Sequence, residues 1–286
     1  MPPRCLLPEP VQNCTRYTSQ HGEDRVLLPL LMHITGGRPG VFVELGALDG
    51  QKYSNTVALE QCLGWRGVLI EADHNNFAQL ARGRRRATAI HAAVCDRSTG
   101  TFPISAKGPT WARGSLQDMT PEHRDRFRLG EGARVRFVPC KPLDELMRAA
   151  AYDSADFLSL DVEGAELHVL QNANLSAFRV IMVEMGGDDP QKEARIESLL
   201  LEAGFWLAYH LLLGPEKAGG RNKVFVDRSW LNQVPYLRPF GEPSLGQLGT
   251  CLKSTQLVVG PAGNTSEVPP PACGRRTWNV EEHRCQ

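Results

Sequence analysis

Three carboxylates within six residues, Asp161, Glu163 and Glu166, form the segment of the chain best suited to chemistry. They follow an apolar run at 156–161 that predicts a buried strand, and ligands of open α/β sheets bind beyond the carboxyl ends of such strands. Crowding raises the pKa of one carboxyl group, which suits a general base acting on a hydroxyl group. A first-turn helix position near the positive end of the dipole would explain one of these acids, but not all three.

A second candidate site lies around two glycines near the start of the chain. The run 41–45 predicts a strand that ends at Glu44-Leu45, followed by Gly46 and Gly50. Glycine lets backbone approach a ligand at a point where a Cβ atom would clash. About twenty residues later Glu71 ends another predicted strand, where a carboxylate can accept hydrogen bonds from ribose hydroxyl groups. Glu71 could instead end its strand at the surface, but its spacing from the glycines favours the ribose role.

Asp96 follows the third predicted strand, 88–94, and is open to two interpretations. Its carboxylate could face the amino group of an adenine ring. It could equally cap the turn that continues through residues 97–100.

The elements that must position these residues alternate between short apolar strands and helical patterns, which is typical of βαβ units. The fold class predicted is α/β: a Rossmann-like sheet of seven strands, mostly parallel with an antiparallel edge hairpin, and helices on both faces. The strands are expected at 41–45, 67–71, 88–94, 156–161, 179–185, 204–212 and 222–227. The helices are expected at 54–63, 74–82, 142–150, 164–171 and 190–203. Residues 100–138 fit this rhythm less well and predict an irregular insert of functional importance.

Composition limits the domain organisation and the possible partners. The chain has 286 residues, 42% of them hydrophobic, which favours one domain at 19–231 between an extended leader at 1–18 and a Pro/Gly-rich irregular tail at 232–286. The formal net charge of zero argues against a nucleic-acid partner. No apolar segment reaches the length of a membrane span. The sequence does not indicate the oligomeric state.

The eight cysteines include no Cys-x-x-Cys pair, so the sequence predicts no metal site. Cys62, Cys95 and Cys140 lie in or beside apolar segments and are expected to be core thiols. A small disulfide set is expected among the terminal cysteines, which are Cys5, Cys14, Cys251, Cys273 and Cys285. Three glycosylation sequons, beginning at Asn13, Asn174 and Asn264, also permit a secretory-pathway location. Because no signal peptide is visible, the location stays open between the cytoplasm and the secretory-pathway lumen.

Taken together, these motifs resemble the FkbM-type methyltransferases over about residues 19–228. The similarity rests on several short stretches in the family's order, and the Asp-Val-Glu-Gly-Ala-Glu segment after a strand is the most specific of them. The stretches are Ser19-Gln20, Gly22-Glu23-Asp24, Val43 to Gly50, Ser54-Asn55-Thr56, Gly64 to Gly67, Ile70-Glu71 and Leu160 to Glu166. Leu48 stands where the family usually has Asn.

The resemblance implies a cofactor, S-adenosylmethionine, and a division of the site residues. Glu44, Gly46 and Gly50 would line the methionine side of the cofactor, with Asp49 in the same loop. Glu71 would hold the ribose. Ser54 and Asn55 would open the next helix near the same pocket, and Asp96 is counted with this cofactor set. Asp161 and Glu163 would lie at the methyl-transfer centre as the catalytic residues.

The function implied is methylation of a hydroxyl group on a glycan or small metabolite. The alternative is a non-catalytic protein of the same fold, like the animal Star protein, acting in trafficking from the endoplasmic reticulum to the Golgi or in endosomal trafficking. The retained glycines and acids favour catalysis over that alternative. A dinucleotide-dependent dehydrogenase would need a further glycine where Leu48 stands, so that hypothesis is set aside.

Overall fold

The computed structural model describes residues 14–83, 86–96, 100–115, 117–129, 135–185, 189–208 and 222–231, together with four two-residue strands farther along. Most of the predicted leader and tail therefore lies outside the described residues. In the tail, Val258–Val259 pairs with Thr265–Ser266, and Trp278–Asn279 pairs with Arg284–Cys285.

A seven-stranded sheet forms the centre of the domain. Its strands are β1 (Val41–Leu45), β2 (Arg66–Glu71), β3 (Thr88–His91), β7 (Ala155–Leu160), β8 (Phe178–Glu184), β9 (Phe205–Leu207) and β10 (Asn222–Asp227). Their order across the sheet is β3-β2-β1-β7-β8-β10-β9. The five neighbouring strands β3, β2, β1, β7 and β8 are parallel to one another. Strand β10 runs antiparallel to both of its neighbours, β8 and β9. The predicted mostly parallel sheet with an antiparallel edge pair is confirmed.

Helices cover both faces of this sheet. They are α1 (Glu23–Ile34), α2 (Val57–Leu63), α3 (His74–Gly83), α4 (Pro121–Arg126), α5 (Leu143–Ala149), α6 (Glu166–Gln171), α7 (Pro190–Glu202) and α8 (Arg228–Leu231). Alternate residues of each central strand belong to different cores: Phe42 packs with α1 and α2, whereas Val43 packs with α5 and α6. Because both faces are buried, these strands are apolar almost throughout.

The structure differs from the prediction of one strand at 88–94 and an irregular insert at 100–138. The strand predicted at 88–94 breaks at Ala92, and its second part, β4 (Ala93–Val94), leaves the main sheet. It joins a second sheet in the order β4-β6-β5 with β5 (Thr101–Ser105) and β6 (Val135–Lys141). The insert is therefore organised by backbone pairing of β6 with both neighbours. Pro103 in β5 and Pro139 in β6 conceal these strands in the sequence, because a proline within a run argues against a strand.

Two disulfides tie this architecture together, and they overturn the expectation of core thiols. Cys14 is bonded to Cys62 of α2, and Cys95 is bonded to Cys140 of β6. Cys14, Cys95 and Cys140 are buried and Cys62 is partly buried, so they resemble core residues, yet each meets its partner 45 or 48 residues away. The other terminal cysteines have side chains outside the described part of the chain.

The disulfide between Cys95 and Cys140 should stabilise the domain. Replacing both residues with serine is expected to lower the free energy of unfolding by about 2–4 kcal/mol, because a loop of this length no longer constrains the unfolded chain. Urea denaturation followed by circular dichroism measures the difference. Adding dithiothreitol should bring wild type and variant to equal stability, and equal stability without reductant would contradict the expectation.

Candidate active site

A cavity of about 400 Å³ lies beyond the carboxyl ends of β1, β2, β7 and β8. Its walls include side chains of the main sheet and of the insert between β4 and β6, which covers the cavity from one side. Volumes of this order are typical of sites for small molecules and cofactors. The position is the one at which open parallel sheets bind their ligands.

Gly46 shapes the turn after β1 through backbone packing. Its φ is +76°, and a Cβ atom placed there would lie 1.8 Å from the carbonyl oxygen of Asp161. Gly46 was expected to let the backbone approach a ligand. In the structure, the missing Cβ atom leaves room for the backbone after β7. The turn after β1 and the acid-rich segment therefore lie side by side.

Glu44 is buried in the cavity wall, where its carboxylate organises the loop before α2. It accepts hydrogen bonds from the Ser54 hydroxyl (2.8 Å), the Asn55 backbone N–H (2.8 Å) and the Thr56 hydroxyl (2.5 Å). Since these donors occupy both carboxylate oxygens, the main role of Glu44 is to position this loop. Ser54 is held below the cavity surface by the same contact.

Glu71 presents a buried carboxylate at the end of β2. Its oxygens accept hydrogen bonds from the backbone N–H groups of Leu48 (2.8 Å) and Asp73 (2.7 Å). Burial raises the pKa of this carboxyl group to about 7, in spite of the donors, which act in the opposite direction. Leu48 has a φ of +49°, a left-handed conformation that Asn adopts more readily than Leu. This conformation explains why Asn suits the position in the family.

Asp73 anchors the insert to the main sheet. Its carboxylate caps α3 by accepting from the N–H groups of Asn75 and Asn76, and it forms an ion pair with Arg113 at 2.9 Å. Arg113 also donates to the backbone carbonyl of Gly108. The guanidinium group therefore joins the insert loop to the wall that contains Glu71.

Acids from two adjacent strands meet at the other end of the cavity. Single carboxylate oxygens of Asp161, Glu163 and Glu184 lie within 4.8 Å of one another. Burial and the neighbouring Glu184 and Glu163 raise the pKa of Asp161 well above its usual range. On α4, His123 places its Nε2 atom 3.3 Å from a carboxylate oxygen of Glu163. The third predicted acid, Glu166, instead bonds Lys192 at 3.0 Å and accepts from the Gly164 N–H.

The structure divides the predicted cofactor residues into two groups. Glu44, Gly46, Asn55 and Glu71 line the cavity, as do both predicted catalytic residues, Asp161 and Glu163. The residues that do not line it are Asp49, Gly50, Ser54 and Asp96.

These displaced residues have local reasons for their positions. The Asp49 carboxylate accepts from the N–H groups of Gln51 and Lys52 and so closes its own turn. The Gly50 N–H donates to the Ala47 carbonyl within that turn. Asp96 follows the chain into the second sheet, because the Cys95 N–H bonds Lys141 and its sulfur bonds Cys140.

Two residues of the acid-rich end were not predicted, Glu184 and His123. A signal for Glu184 existed: like Glu44 and Glu71, it is a carboxylate at the end of an apolar strand. His123 lies in the insert, where no pattern in the sequence connects it with Glu163.

Comparison with known proteins identifies the domain. The sequence profile described as the methyltransferase FkbM domain matches residues 44–207, which is more than half of the chain. The chain belongs to the FkbM methyltransferase family. It therefore carries an S-adenosylmethionine-dependent methyltransferase domain. Among curated proteins, none matches the chain significantly.

Solved structures of methyltransferases are similar to this FkbM domain at low sequence identity. The FkbM methyltransferase from Methylobacillus flagellatus KT is 14% identical, with a TM-score of 0.41, and the match covers 76% of this chain and 58% of that one. The magnesium protoporphyrin IX methyltransferase ChlM from Synechocystis PCC 6803 is 12% identical, with a TM-score of 0.37, over 78% and 86% of the two chains. The Aeropyrum pernix fibrillarin is 12% identical over 66% of each chain, with a TM-score of 0.35.

The chemistry of this cavity fits the cofactor of the FkbM family. Glu71 offers a buried carboxylate to hydroxyl donors, and apolar side chains such as Ile70 and Val94 line the wall beside it for an adenine ring. Acidic groups at the other end suit a site that receives a positively charged sulfonium.

The ion pair between Asp73 and Arg113 should be important for stability. Replacing Arg113 with Met is expected to cost about 2 kcal/mol, because the buried Asp73 carboxylate loses its closest cationic partner and keeps Arg136 at 3.9 Å. Chemical denaturation measures this cost. Adding Asp73→Asn should make the double variant more stable than the sum of the two single changes predicts, and strict additivity would contradict the coupling.

Proposed function

We propose that this FkbM domain transfers the methyl group of S-adenosylmethionine to a hydroxyl oxygen of a glycan or small metabolite. The observation that supports this most directly is the shared cavity: Glu71 lies at one end, and Asp161, Glu163 and Glu184 lie at the other. A hydroxyl acceptor needs a proton acceptor beside it, and carboxylates near a histidine supply one.

Each wall of the cavity has its own role in this proposal. Glu71 binds the ribose hydroxyl groups, and the turn around Gly46 supports the methionine part. When bound, S-adenosylmethionine supplies a methyl group on a sulfonium, which the acceptor oxygen takes as the sulfur–carbon bond breaks. Holding donor and acceptor in line provides most of the rate enhancement.

The proton of the acceptor hydroxyl group passes to the pair formed by Glu163 and His123. Asp161 has a different role in this proposal, and burial and the neighbouring acids raise its pKa. Asp161 instead orients the acceptor end of the cavity through its contact with Glu184. His123 lies 3.3 Å from Glu163 and stabilises the charge that this carboxylate carries.

Three other expectations concern a trafficking role, a nucleic-acid partner and a membrane span. The trafficking alternative receives none from the comparisons, since the matching family is one of methyltransferases. A nucleic-acid partner is not part of the proposal, because the formal net charge is zero. Among the described residues, no helix combines the length and the apolar character needed to cross a membrane.

For the location, we propose the secretory-pathway lumen. The two disulfides support this, since such bonds persist in oxidising compartments and are rare in the cytosol. The sequon at Asn174 adds support because its asparagine is exposed. The sequons at Asn13 and Asn264 begin outside the described residues.

Two substitutions should separate cofactor binding from turnover. Glu71→Ala is expected to weaken S-adenosylmethionine and its demethylated product at least about tenfold, because the ribose loses a charged acceptor. Asp161→Asn should change cofactor affinity less than about threefold while reducing turnover at least about a hundredfold, because the acceptor end loses a carboxylate that orients it. Calorimetric titration and a methyl-transfer assay measure the two effects. No binding of either ligand to folded wild-type protein at millimolar concentration would overturn the proposed function.

Cofactor affinity should depend on pH through Glu71. In the free protein the pKa of this group is about 7, and hydroxyl donors of the ribose favour its ionised form. Affinity should therefore be highest above pH 7 and fall as the pH is lowered through that value. Titrations at several pH values between about 5.5 and 8.5 test this.

The matched controls for the pH experiment are Glu71→Gln and Asp161→Asn. The first should remove the dependence, whereas the second should retain it. A dependence that survives in Glu71→Gln would assign the titration to another group.

A further inference from the structure

The acids at the acceptor end come from different parts of the chain but converge on one point. Asp161 follows β7, Glu163 lies in the turn after it, and Glu184 ends the adjacent strand β8. One carboxylate oxygen of each lies within 4.8 Å of the others. Two oxygens bound on opposite sides of a divalent cation at 2.0–2.4 Å would be separated by about this distance or less. The three groups can therefore bind one ion without a large rearrangement.

A second, independent feature of the same cavity also requires a ligand. Asn55 is 9% exposed and lines the cavity. Its side-chain nitrogen donates to the hydroxyl group of Ser159 on β7 at 3.1 Å, and Ser159 lines the cavity together with Asp161, two residues farther along the chain. The amide oxygen of Asn55 is buried and has no hydrogen-bond partner among the described residues. A buried acceptor of this kind is costly unless a donor or cation satisfies it.

We propose that Asp161, Glu163 and Glu184 hold a divalent cation, Mg²⁺ or Mn²⁺, at the acceptor end of the cavity, with the Asn55 amide oxygen as a further oxygen ligand, direct or through water. Carboxylate and amide oxygens are the ligands that these hard cations prefer. The ion offsets the formal negative charge of three carboxylates that share a buried space. The sequence predicts no metal site, because Glu184 and Asn55 lie far along the chain from Asp161 and Glu163, and only the sheet brings the four residues together.

The cation indicates the class of acceptor, an inference that rests on the proposed function. Mg²⁺ and Mn²⁺ retain open positions for water or substrate oxygens. An acceptor with two neighbouring hydroxyl groups, such as a sugar with a vicinal diol, can occupy two of these positions and is thereby held by both oxygens.

Mn²⁺ binding to the full chain tests this site. Electron paramagnetic resonance of free Mn²⁺, at about pH 8 so that the ligands are deprotonated, should show one saturable site with a dissociation constant below about 1 mM. Glu184→Gln and Asp161→Asn should each weaken it at least about tenfold. Near-ultraviolet circular dichroism confirms that each variant is folded, and either variant suffices if the other fails to fold. The exposed Glu202 of α7 supplies the matched control, and Glu202→Gln should bind Mn²⁺ as the wild type does.

Two further measurements keep this inference separate from the proposed function. Glu71→Gln should bind Mn²⁺ normally while losing affinity for S-adenosylmethionine. Acceptors with a vicinal diol should bind more tightly when Mn²⁺ is present, and acceptors with a single hydroxyl group should not. No saturable Mn²⁺ binding, or binding unchanged in both Glu184→Gln and Asp161→Asn, would overturn the cation site. If S-adenosylmethionine still bound, the methyltransferase proposal would stand without it.

Discussion

The buried carboxylate of Glu44 is the interaction on which the arrangement of the site depends. It lies at the centre of the sheet, where an acid without partners would be strongly unfavourable, and three donors from residues 54–56 satisfy it. Those hydrogen bonds determine where α2 begins and hold Asn55 against Ser159 of β7. The same strand end leads into Gly46, whose close contact with the Asp161 carbonyl aligns the two halves of the cavity. Backbone pairing of β1 with β2 and β7 fixes the two ends of the cavity, and the Glu44 carboxylate adds the loop that carries Asn55 between them.

Much of the central sheet could be predicted because its strands are buried on both faces. That burial produces short, nearly continuous apolar runs separated by helical patterns, and the alternation indicates parallel strands. The acids Glu44, Glu71 and Asp161 stand out because each interrupts an apolar run at its carboxyl end. Glu184 has the same position and is followed in sequence by Gly186-Gly187 and Asp188-Asp189, but only the pairing of β7 with β8 reveals its relation to Asp161.

Other parts depend on contacts that leave no local pattern. The break at Ala92 occurs because β4 pairs with β6, some 45 residues later, instead of continuing beside β2. The cysteines of the two disulfides occupy apolar surroundings, so each alone resembles a core residue. Asp96 was considered as an adenine contact because the chain was expected to stay in the main sheet. In each case the deciding partner is distant in sequence, and local composition carries no information about it.

The disulfide between Cys95 and Cys140 also limits how ligands can enter and leave. The disulfide lies at the base of the insert, where it joins the residue after β4 to β6. The insert therefore cannot move away from this point as a rigid unit. Opening is confined to the excursion between β5 and β6, which contains Arg113, His123 and the half-exposed Trp111. The ion pair of Arg113 with Asp73 is a second tie between this excursion and the wall that contains Glu71.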